Sequence, residues 1–383
     1  MSAETKISNL LPNKKIRNNN SRQKIRVLSI DGGGIRGIIS ATLLSHLEKI
    51  IQEKSGNKEA RLADYFDFIA GTSTGGILAT VYLMPDPKCS DRPKYSAQDA
   101  LDLYLNKGHQ IFRSSLFNLI RSYFGLLRYK FKSQGINQAL KETFGEESLL
   151  HQLVKPCLIT AYDVSREKSY FFTRCSARRN ARKNFKIWEV ARATSAAPSF
   201  FKPARLKSEY GECHTMIDGG VIANNPSLCA FTEVIKSDFS HLHGWSHGDR
   251  PTADDIIFLS IGTGLKQRPT DCSRLERKGL LGWLKTITKV RMMGSSDTVQ
   301  HQIEQIFKCS VKAAGQLFRL DPGIFDADHK MDNASPSNIA LLHMAGIRNV
   351  ERYHNLLEDI ANKLLNESNL ESVTSKDDLA IAS

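Results

Sequence analysis

A serine flanked by glycines lies where a predicted strand passes into a predicted helix. Gly71, Ser73 and Gly75 fit the pattern G-x-S-x-G in the segment GTSTG. In that context the pattern is typical of a nucleophile, because the tight turn lifts the hydroxyl to the C-terminal end of a sheet. The start of the helix adds N–H groups and positive potential for an anionic intermediate. The segment therefore predicts a serine nucleophile for acyl transfer.

A run of three glycines in DGGGIRG joins the first predicted strand to its helix. The three are Gly32, Gly33 and Gly34. Consecutive glycines expose backbone N–H groups without side chains in the way, which is what an oxyanion hole requires. The glycines also match the dinucleotide pattern G-x-G-x-x-G, but that fold needs an acid about 20 residues on, at the end of the next strand. Glu48 and Glu53 fall inside the predicted helix instead, so the oxyanion interpretation is preferred.

A base for the serine is expected at Asp218, at the end of the short predicted strand HTMID. Gly219 and Gly220 behind it allow a sharp turn beside the nucleophile. Burial would raise the pKa of this carboxyl and help it to accept the hydroxyl proton. The alternative is a Ser-His-Asp triad that draws on a later histidine, although none lies in a motif. The candidates for that triad are His241, His301 and His343.

The elements that position these residues follow an alternating pattern of strands and helices. Apolar, β-branched runs predict strands at 25–31, 65–73, 157–163, 168–173, 214–218 and 255–262. Helical spacing predicts helices at 35–54, 74–83, 187–196 and 226–236. This order predicts an α/β domain with a parallel sheet covered on both faces. The predicted organisation is a basic flexible arm at 1–24, one domain at 25–370 with a helical C-terminal part, and a flexible tail at 371–383.

Composition favours a folded, soluble protein. The 383 residues are 41% apolar and 24% charged, which disfavours a disordered, collagen-like or coiled-coil chain. Seven scattered cysteines predict neither a disulfide framework nor a zinc site. The N-terminal residues carry no secretory signal, so a cytoplasmic location is expected. The uncharged stretch 68–85 is better explained as strand, turn and helix than as a membrane span.

The net charge of +13 is concentrated in four segments: 1–26, 113–132, 174–186 and 266–291. A segregated basic surface attracts phosphate on anionic lipid, on a nucleotide ligand or on nucleic acid. Residues 111–132 and 277–293 interleave these bases with aromatic and aliphatic side chains, as suits a membrane headgroup interface. Core helices with solvated basic faces explain the two segments equally well. Residues 111–132 would also serve as a lid over the serine.

The order of the three motifs resembles that of the patatin-like phospholipases. Their pattern is a DGGG-x-R-G loop, a G-x-S-x-G elbow and a DGG or DGA tripeptide. This chain has DGGGIRG at 31–37, GTSTG at 71–75 and DGG at 218–220. Further matching segments are ATSAAPSFF (193–201), DGGVIANNP (218–226), SIGTG (260–264) and MDNAS (331–335).

The resemblance implies a patatin-like three-layer α/β fold with a central, mostly parallel sheet and a Ser-Asp dyad without histidine. Ser73 would be the nucleophile, and Asp218 the general base and later the general acid. The N–H groups of the glycine loop would hold the oxyanion, and Arg36 would steady that loop. The reaction would be hydrolysis of phospholipid acyl esters through an acyl-serine intermediate, without metal or cofactor. The supporting motif glycines are Gly37, Gly71, Gly75, Gly219 and Gly220.

The resemblance also suggests a bacterial protein that acts at the inner face of the membrane. Some bacterial relatives resemble antiphage effectors that a cyclic oligonucleotide activates to degrade the cell's own membrane. A cyclic dinucleotide activator and a phospholipid surface are therefore the expected partners, with no specific nucleic acid. The different-class alternative is a non-catalytic nucleotide- or nucleic-acid-binding module that uses the glycine loop and the basic segments. The sequence leaves the oligomeric state open.

Overall fold

The computed structural model describes residues 22–111, 129–264 and 279–381. The strands are β1 (Ile25–Ile30), β2 (Phe68–Thr72), β3 (Pro85–Asp86), β4 (Cys89–Pro93), β5 (Cys157–Asp163), β6 (Lys168–Thr173), β7 (Ala204–Lys207), β8 (Cys213–Asp218), β9 (Ile256–Ile261) and β10 (Leu317–Leu320). The helices are α1 (Gly37–Ser55), α2 (Leu62–Tyr65), α3 (Thr74–Tyr82), α4 (Ala97–Ile111), α5 (Ser133–Phe144), α6 (Arg174–Arg179), α7 (Ile187–Thr194), α8 (Ser227–Lys236), α9 (Leu280–Lys308), α10 (Pro336–Arg352) and α11 (His354–Ile381).

The central sheet is mostly parallel, as the sequence predicts. Its strand order is β10-β9-β1-β2-β5-β8-β7, with β6 paired to β5 outside this path. The strands from β10 to β5 pair in parallel, whereas β6, β7 and β8 join as antiparallel strands. The short strands β7 and β10 are not predicted from the sequence, because four-residue segments such as ARLK and LFRL carry too little periodicity.

One edge of β5 is shared by two strands, and this arrangement positions the candidate site. β2 pairs with β5 up to the register Thr72↔Thr160, and β8 then pairs with it from Ala161↔Asp218 onward. β6 occupies the other edge along the same stretch. Because β2 is parallel and β8 antiparallel to β5, their C-terminal ends meet. Ser73, which follows Thr72, therefore lies next to Asp218, the last residue of β8.

The sheet lies between two layers of helices, each with its own apolar core. Successive residues of β1 alternate between the layers, so that Val27 packs into one core and Leu28 into the other. One core contains α1, α3 and α4, and the other contains α8 together with Ile303 and Phe307 of α9. This is the three-layer architecture that the sequence predicts.

Contacts and helical structure of the described residues extend past both predicted ends of the domain, and the division into arm, domain and tail stays a prediction. Arg22 forms an ion pair with Asp249 at 2.9 Å and the Gln23 N–H donates to the His243 carbonyl, so residues 22–24 join the folded body rather than the arm. The last helix continues to Ile381, where the sequence predicts a tail from residue 371. The rest of the predicted arm lies outside the described residues.

The predicted surface segments have different outcomes. Residues 112–128 of the segment 111–132 and the first two residues of the segment 277–293 lie outside the described residues. The predicted roles of these segments as lid and membrane surface stay predictions. Residues 174–186 form α6 and a short turn beyond β6. Since β6 runs antiparallel to β5, this basic run lies at the opposite end of the sheet from Ser73. None of the helices in the described ranges is long and apolar enough to span a bilayer.

Candidate active site

Ser73 lies in the sharp turn that joins β2 to α3. Its backbone has φ 54° and ψ −120°, a positive-φ conformation that costs energy for a residue with a side chain. The Ser73 N–H donates to Thr194 Oγ1 at 2.8 Å, and the Ser73 carbonyl accepts the Ile77 N–H at 3.0 Å. A side chain at Gly75 would collide with the carbonyl of Ile30. The surrounding backbone thus holds the turn in its strained form.

The side chains of Ser73 and Asp218 meet at the shared edge of β5. Ser73 Oγ donates to Asp218 Oδ2 at 2.6 Å, a short hydrogen bond of the kind that a charged acceptor makes. The other carboxylate oxygen, Oδ1, accepts the Gly220 N–H at 2.7 Å, which orients the carboxylate. The spatial prediction that these two residues meet across 145 positions of sequence is therefore confirmed.

Burial raises the pKa of Asp218 to about 6, because the carboxylate is only 5% exposed and loses most of its hydration. The hydrogen bonds from Ser73 and Gly220 and the positive charge of Arg192 oppose this effect and lower the pKa. Such a carboxyl group is ionised at neutral pH, yet binds a proton more readily than an ordinary aspartate. This suits it to general-base chemistry.

The glycine loop lies directly beside the serine, although its three N–H groups are not equivalent. A side chain on Gly32 would approach Ser73 Cβ to 3.3 Å. The Gly32 N–H already donates to the Asn224 carbonyl at 3.0 Å, which corrects its predicted role as an oxyanion donor. The N–H groups of Gly33 and Gly34 have no acceptor among the described residues. Gly34 has φ +61° and closely approaches the carbonyl of Met331, which only glycine tolerates.

Arg36 holds the loop as the sequence predicts, through backbone carbonyls rather than through a carboxylate. Its Nη1 donates to the Gly264 carbonyl at 2.8 Å and its Nε to the Gly33 carbonyl at 3.4 Å. Burial lowers the pKa of Arg36 to about 10, so the guanidinium remains charged at neutral pH. From the other side, Thr263 Oγ1 donates to the Gly32 carbonyl at 2.8 Å.

Asp31, the first residue of the loop motif, is held by an arginine from the C-terminal part of the chain. Arg319 on β10 donates from Nη2 to Asp31 Oδ2 at 2.7 Å and from Nη1 to Oδ1 at 3.1 Å. This bidentate pair is largely buried, with the two side chains 13% and 5% exposed. Arg319 therefore connects β10 to the end of β1, where the glycine loop begins.

The three histidines considered for a triad are not part of this site. No hydrogen bond of the described residues joins any of them to Ser73 or Asp218, whose carboxylate oxygens contact Ser73 and Gly220. His241 and His301 are exposed, and His343 is half-buried on α10. The arrangement that the structure presents is a direct contact between hydroxyl and carboxylate.

Four residues that contact the site have no role in the sequence analysis: Thr194, Asn224, Thr263 and Arg319. The first three lie inside segments already noted for their resemblance, namely ATSAAPSFF, DGGVIANNP and SIGTG. The resemblance of those segments indicates the regions near the site, but it does not indicate which group each side chain or backbone carbonyl contacts. Arg319 lies in an unremarkable strand, so only the fold reveals its contact with Asp31.

Comparison with known proteins identifies the family. Residues 28–230 match the family model of patatin-like phospholipases, which covers more than half of the chain. The chain belongs to the patatin-like phospholipase family. Patatin-like protein 6 of Arabidopsis thaliana is 31% identical over 92% of this chain and 67% of its own length. Patatin-like protein 1 of the same plant is 31% identical over 89% of this chain and 84% of its own length.

Membership makes this chain a relative of lipid hydrolases, and the predicted resemblance is confirmed. The family also contains proteins described as inactive. Probable inactive patatin-like protein 9 of Arabidopsis thaliana is 32% identical over 75% of this patatin-like chain and 73% of its own length. These relatives are plant proteins, and the bacterial origin expected from the sequence stays a prediction. Because the family includes proteins described as inactive, membership alone does not decide whether a given member hydrolyses lipid.

Proposed function

We propose that this protein hydrolyses phospholipid acyl esters with Ser73 as nucleophile and Asp218 as general base. The observation that carries the proposal is the 2.6 Å hydrogen bond between Ser73 Oγ and Asp218 Oδ2, beside a loop of available N–H groups. A serine hydroxyl needs a base within hydrogen-bonding distance, and this carboxylate supplies one. Family membership favours a lipid ester as the substrate.

In the first half of the reaction, Ser73 Oγ attacks the ester carbonyl carbon while its proton passes to Asp218. The N–H groups of Gly33 and Gly34 stabilise the negative oxygen of the tetrahedral intermediate. The N-terminus of α3, which starts at Thr74, adds positive potential. The intermediate collapses when the bond to the alcohol breaks, and Asp218 returns the proton to the departing lysophospholipid.

In the second half, water attacks the acyl-serine and gives a proton to Asp218. Collapse of the second tetrahedral intermediate releases the fatty acid, and the proton returns to Ser73 Oγ. Each bond that breaks is matched by one that forms, with Asp218 carrying one proton in each half. Ser73, Asp218 and the N–H groups of the glycine loop thus supply the nucleophile, the proton carrier and the oxyanion donors for both halves of the cycle.

The test compares Ser73→Ala and Asp218→Asn with the wild-type chain on phospholipid vesicles and on a short-chain ester. Each change is expected to lower kcat/KM by at least about 1,000-fold, because nucleophile and base act as a unit. Circular dichroism provides the control for folding. A fluorophosphonate probe should label Ser73 in the wild type only. Full ester cleavage by either variant would refute the dyad.

The same probe separates this proposal from a non-catalytic binding module. A binder would show no labelling of Ser73 under any condition, with vesicles or nucleotides present. Activation by a cyclic dinucleotide, and with it a role in antiphage defence at the inner membrane face, is a further proposal that rests on the resemblance and the basic segments. A thermal-shift panel of cyclic dinucleotides, run beside vesicle hydrolysis, tests it. If no cyclic dinucleotide in the panel binds or activates the protein, that result counts against this further proposal.

A further inference from the structure

The residue after the nucleophile is held by a tyrosine from another helix. Thr74 Oγ1 donates to the Tyr104 hydroxyl at 2.5 Å, and that hydroxyl donates to the Thr74 carbonyl at 3.1 Å. Tyr104 lies on α4 and is 4% exposed, whereas Thr74 is the first residue of α3 and is 3% exposed. One buried hydroxyl thus binds both the side chain and the carbonyl of Thr74.

The chemistry of Tyr104 suits it to this double contact. Burial raises the pKa of Tyr104, so its hydroxyl stays neutral and can accept one hydrogen bond while it donates another. Among the described residues, this hydroxyl bonds only to Thr74. Because both residues are buried, loss of the Tyr104 hydroxyl would leave Thr74 Oγ1 without an acceptor in a place that water does not readily fill. The contact is therefore costly to break.

Tyr104 supports the nucleophile elbow on the C-terminal side of Ser73. The positive-φ backbone of Ser73 persists only where neighbouring contacts fix it. Thr194 binds the N–H of Ser73 itself, and Tyr104 binds the carbonyl of the following residue. The backbone is therefore fixed on both sides of the nucleophilic side chain.

The helix that carries Tyr104 contacts the glycine loop as well as the elbow. A Cβ on Gly37, the last residue of the DGGGIRG motif, would lie 2.2 Å from Thr74 Oγ1. Gly108 lies about one helical turn after Tyr104 on the same face of α4, and a Cβ there would lie 2.8 Å from Ile35 Cδ1. One face of α4 therefore lies against both the residue after the nucleophile and the loop that carries the expected oxyanion donors.

We propose that Tyr104 is a positioning residue for ester cleavage, which acts through Thr74 on the spacing between Ser73 and the glycine loop. The nucleophile and the oxyanion donors must lie at set distances from one ester carbonyl, and a displacement of about 1 Å can lower a rate about 100-fold. Tyr104 has no hydrogen bond to Ser73 or Asp218 in the described chain, so its effect passes through the backbone of the elbow. This inference rests on the proposed function, because it concerns the same serine.

The test compares Tyr104→Phe with Tyr82→Phe in the full chain. The first change removes the hydroxyl that binds Thr74 and keeps the ring. The second is the matched control, because Tyr82 is buried in the same core and its hydroxyl has no hydrogen-bond partner among the described residues. Turnover of an uncharged short-chain ester is measured per active site, and the sites are counted by complete reaction with a fluorophosphonate. We expect kcat to fall about tenfold for Tyr104→Phe, with KM within about twofold, and Tyr82→Phe to match the wild type.

Counting the active sites separates a positioning role from a loss of folding. A partly unfolded population lowers the number of reactive sites and leaves the turnover of each folded site unchanged. A fall in kcat per site at constant KM therefore reports on the geometry of the elbow.

Substitutions at Thr74 test whether Tyr104 acts through this contact. Thr74→Ser keeps the hydroxyl and should retain kcat within about twofold, whereas Thr74→Val should lose about as much as Tyr104→Phe. The double variant Thr74→Val with Tyr104→Phe should lose no more than either single change, because all three variants lack the same contact. Losses that add to about 100-fold in the double variant would contradict the route through Thr74.

Hydrogen exchange provides a measurement that needs no turnover. Exchange in the segment 71–80, followed by mass spectrometry without substrate, should be faster in Tyr104→Phe than in the wild type or Tyr82→Phe. This result can also be read from a chain that cleaves no ester, so failure of the proposed function and failure of this inference are distinguishable. Unchanged kcat per site in Tyr104→Phe, or equal losses in the two tyrosine variants, would overturn the inference. In a chain without esterase activity, unchanged exchange in Tyr104→Phe would overturn it.

Discussion

Asp218 has the properties of a base that works near neutral pH without help from an imidazole. Its carboxylate faces the Ser73 hydroxyl, the Gly220 N–H and, further away, the guanidinium of Arg192. All three favour the ionised form, whereas burial favours the neutral one and has the larger effect. At the scale of single residues, the balance between burial and these contacts determines when the carboxylate can accept a proton.

The first prediction concerns the pH dependence of ester cleavage. A protonated carboxyl cannot accept the Ser73 proton, so activity should be lost as the pH falls below the Asp218 pKa of about 6. We expect kcat/KM for an uncharged ester to be level above pH 7 and to fall about tenfold for each unit below 6. Circular dichroism over the same range controls for unfolding. A level profile down to pH 4.5 would contradict this assignment of the base.

The position of Ser73 depends on contacts among four elements. β2 delivers the residue, α3 begins directly after it, β8 brings Asp218 to the same edge of β5, and α7 ends in a threonine that accepts the Ser73 N–H. Asp218 is also held from this side, because its N–H donates to the Ala196 carbonyl just beyond α7. The end of α7 therefore supports both candidate catalytic residues.

The second prediction tests this support at Thr194, whose side chain is fully buried. Thr194→Val keeps the shape but removes Oγ1, so the Ser73 N–H loses its acceptor. We expect a loss of about 1 to 3 kcal/mol in the free energy of unfolding, with reduced kcat. Thr194→Ser, which retains the hydroxyl, should keep most of the activity. Urea denaturation and ester kinetics measure both effects, and equal activity of the two variants would contradict the supporting role.

The whole molecule extends the sheet well beyond the region that matches the family model. β9 and β10 follow residue 230 in sequence, yet β9 pairs directly with β1, and β10 pairs with β9. α10 packs on α1, where a side chain on Gly346 would collide with Thr42. Arg319 joins this C-terminal part to the glycine loop through Asp31. The loop therefore depends on strands and helices that come more than 200 residues later.

The third prediction is that breaking the Asp31–Arg319 pair destabilises the entire protein. Arg319→Met leaves a buried carboxylate without its partner, and we expect a loss of about 3 to 5 kcal/mol in the free energy of unfolding. Lys107→Met removes a surface ion pair with Glu142 and serves as the control, with no expected change in the urea midpoint. Equal midpoints for the two variants would show that the pair does not link the two parts of the sheet.

The sequence by itself determined the types of residues in the site and the elements that carry them. The GTSTG turn, the glycine loop and Asp218 are signalled by local patterns, because glycine, turn residues and β-branched runs act on the backbone within a few positions. The order of the three motifs was enough to predict the family and the mostly parallel sheet. The strands at Ile25–Ile30 and Cys157–Asp163 lie almost where their apolar runs predict.

Only the tertiary structure decided which groups are partners. That Gly32 gives its N–H to Asn224, that Thr194 accepts from Ser73 and that Arg319 reaches Asp31 all depend on contacts between distant segments. Strand pairing and the packing of α7 against the sheet set these contacts, and both join segments that are far apart in the sequence. The meeting of Ser73 and Asp218 has the same origin, because it requires two strands to share one edge of β5.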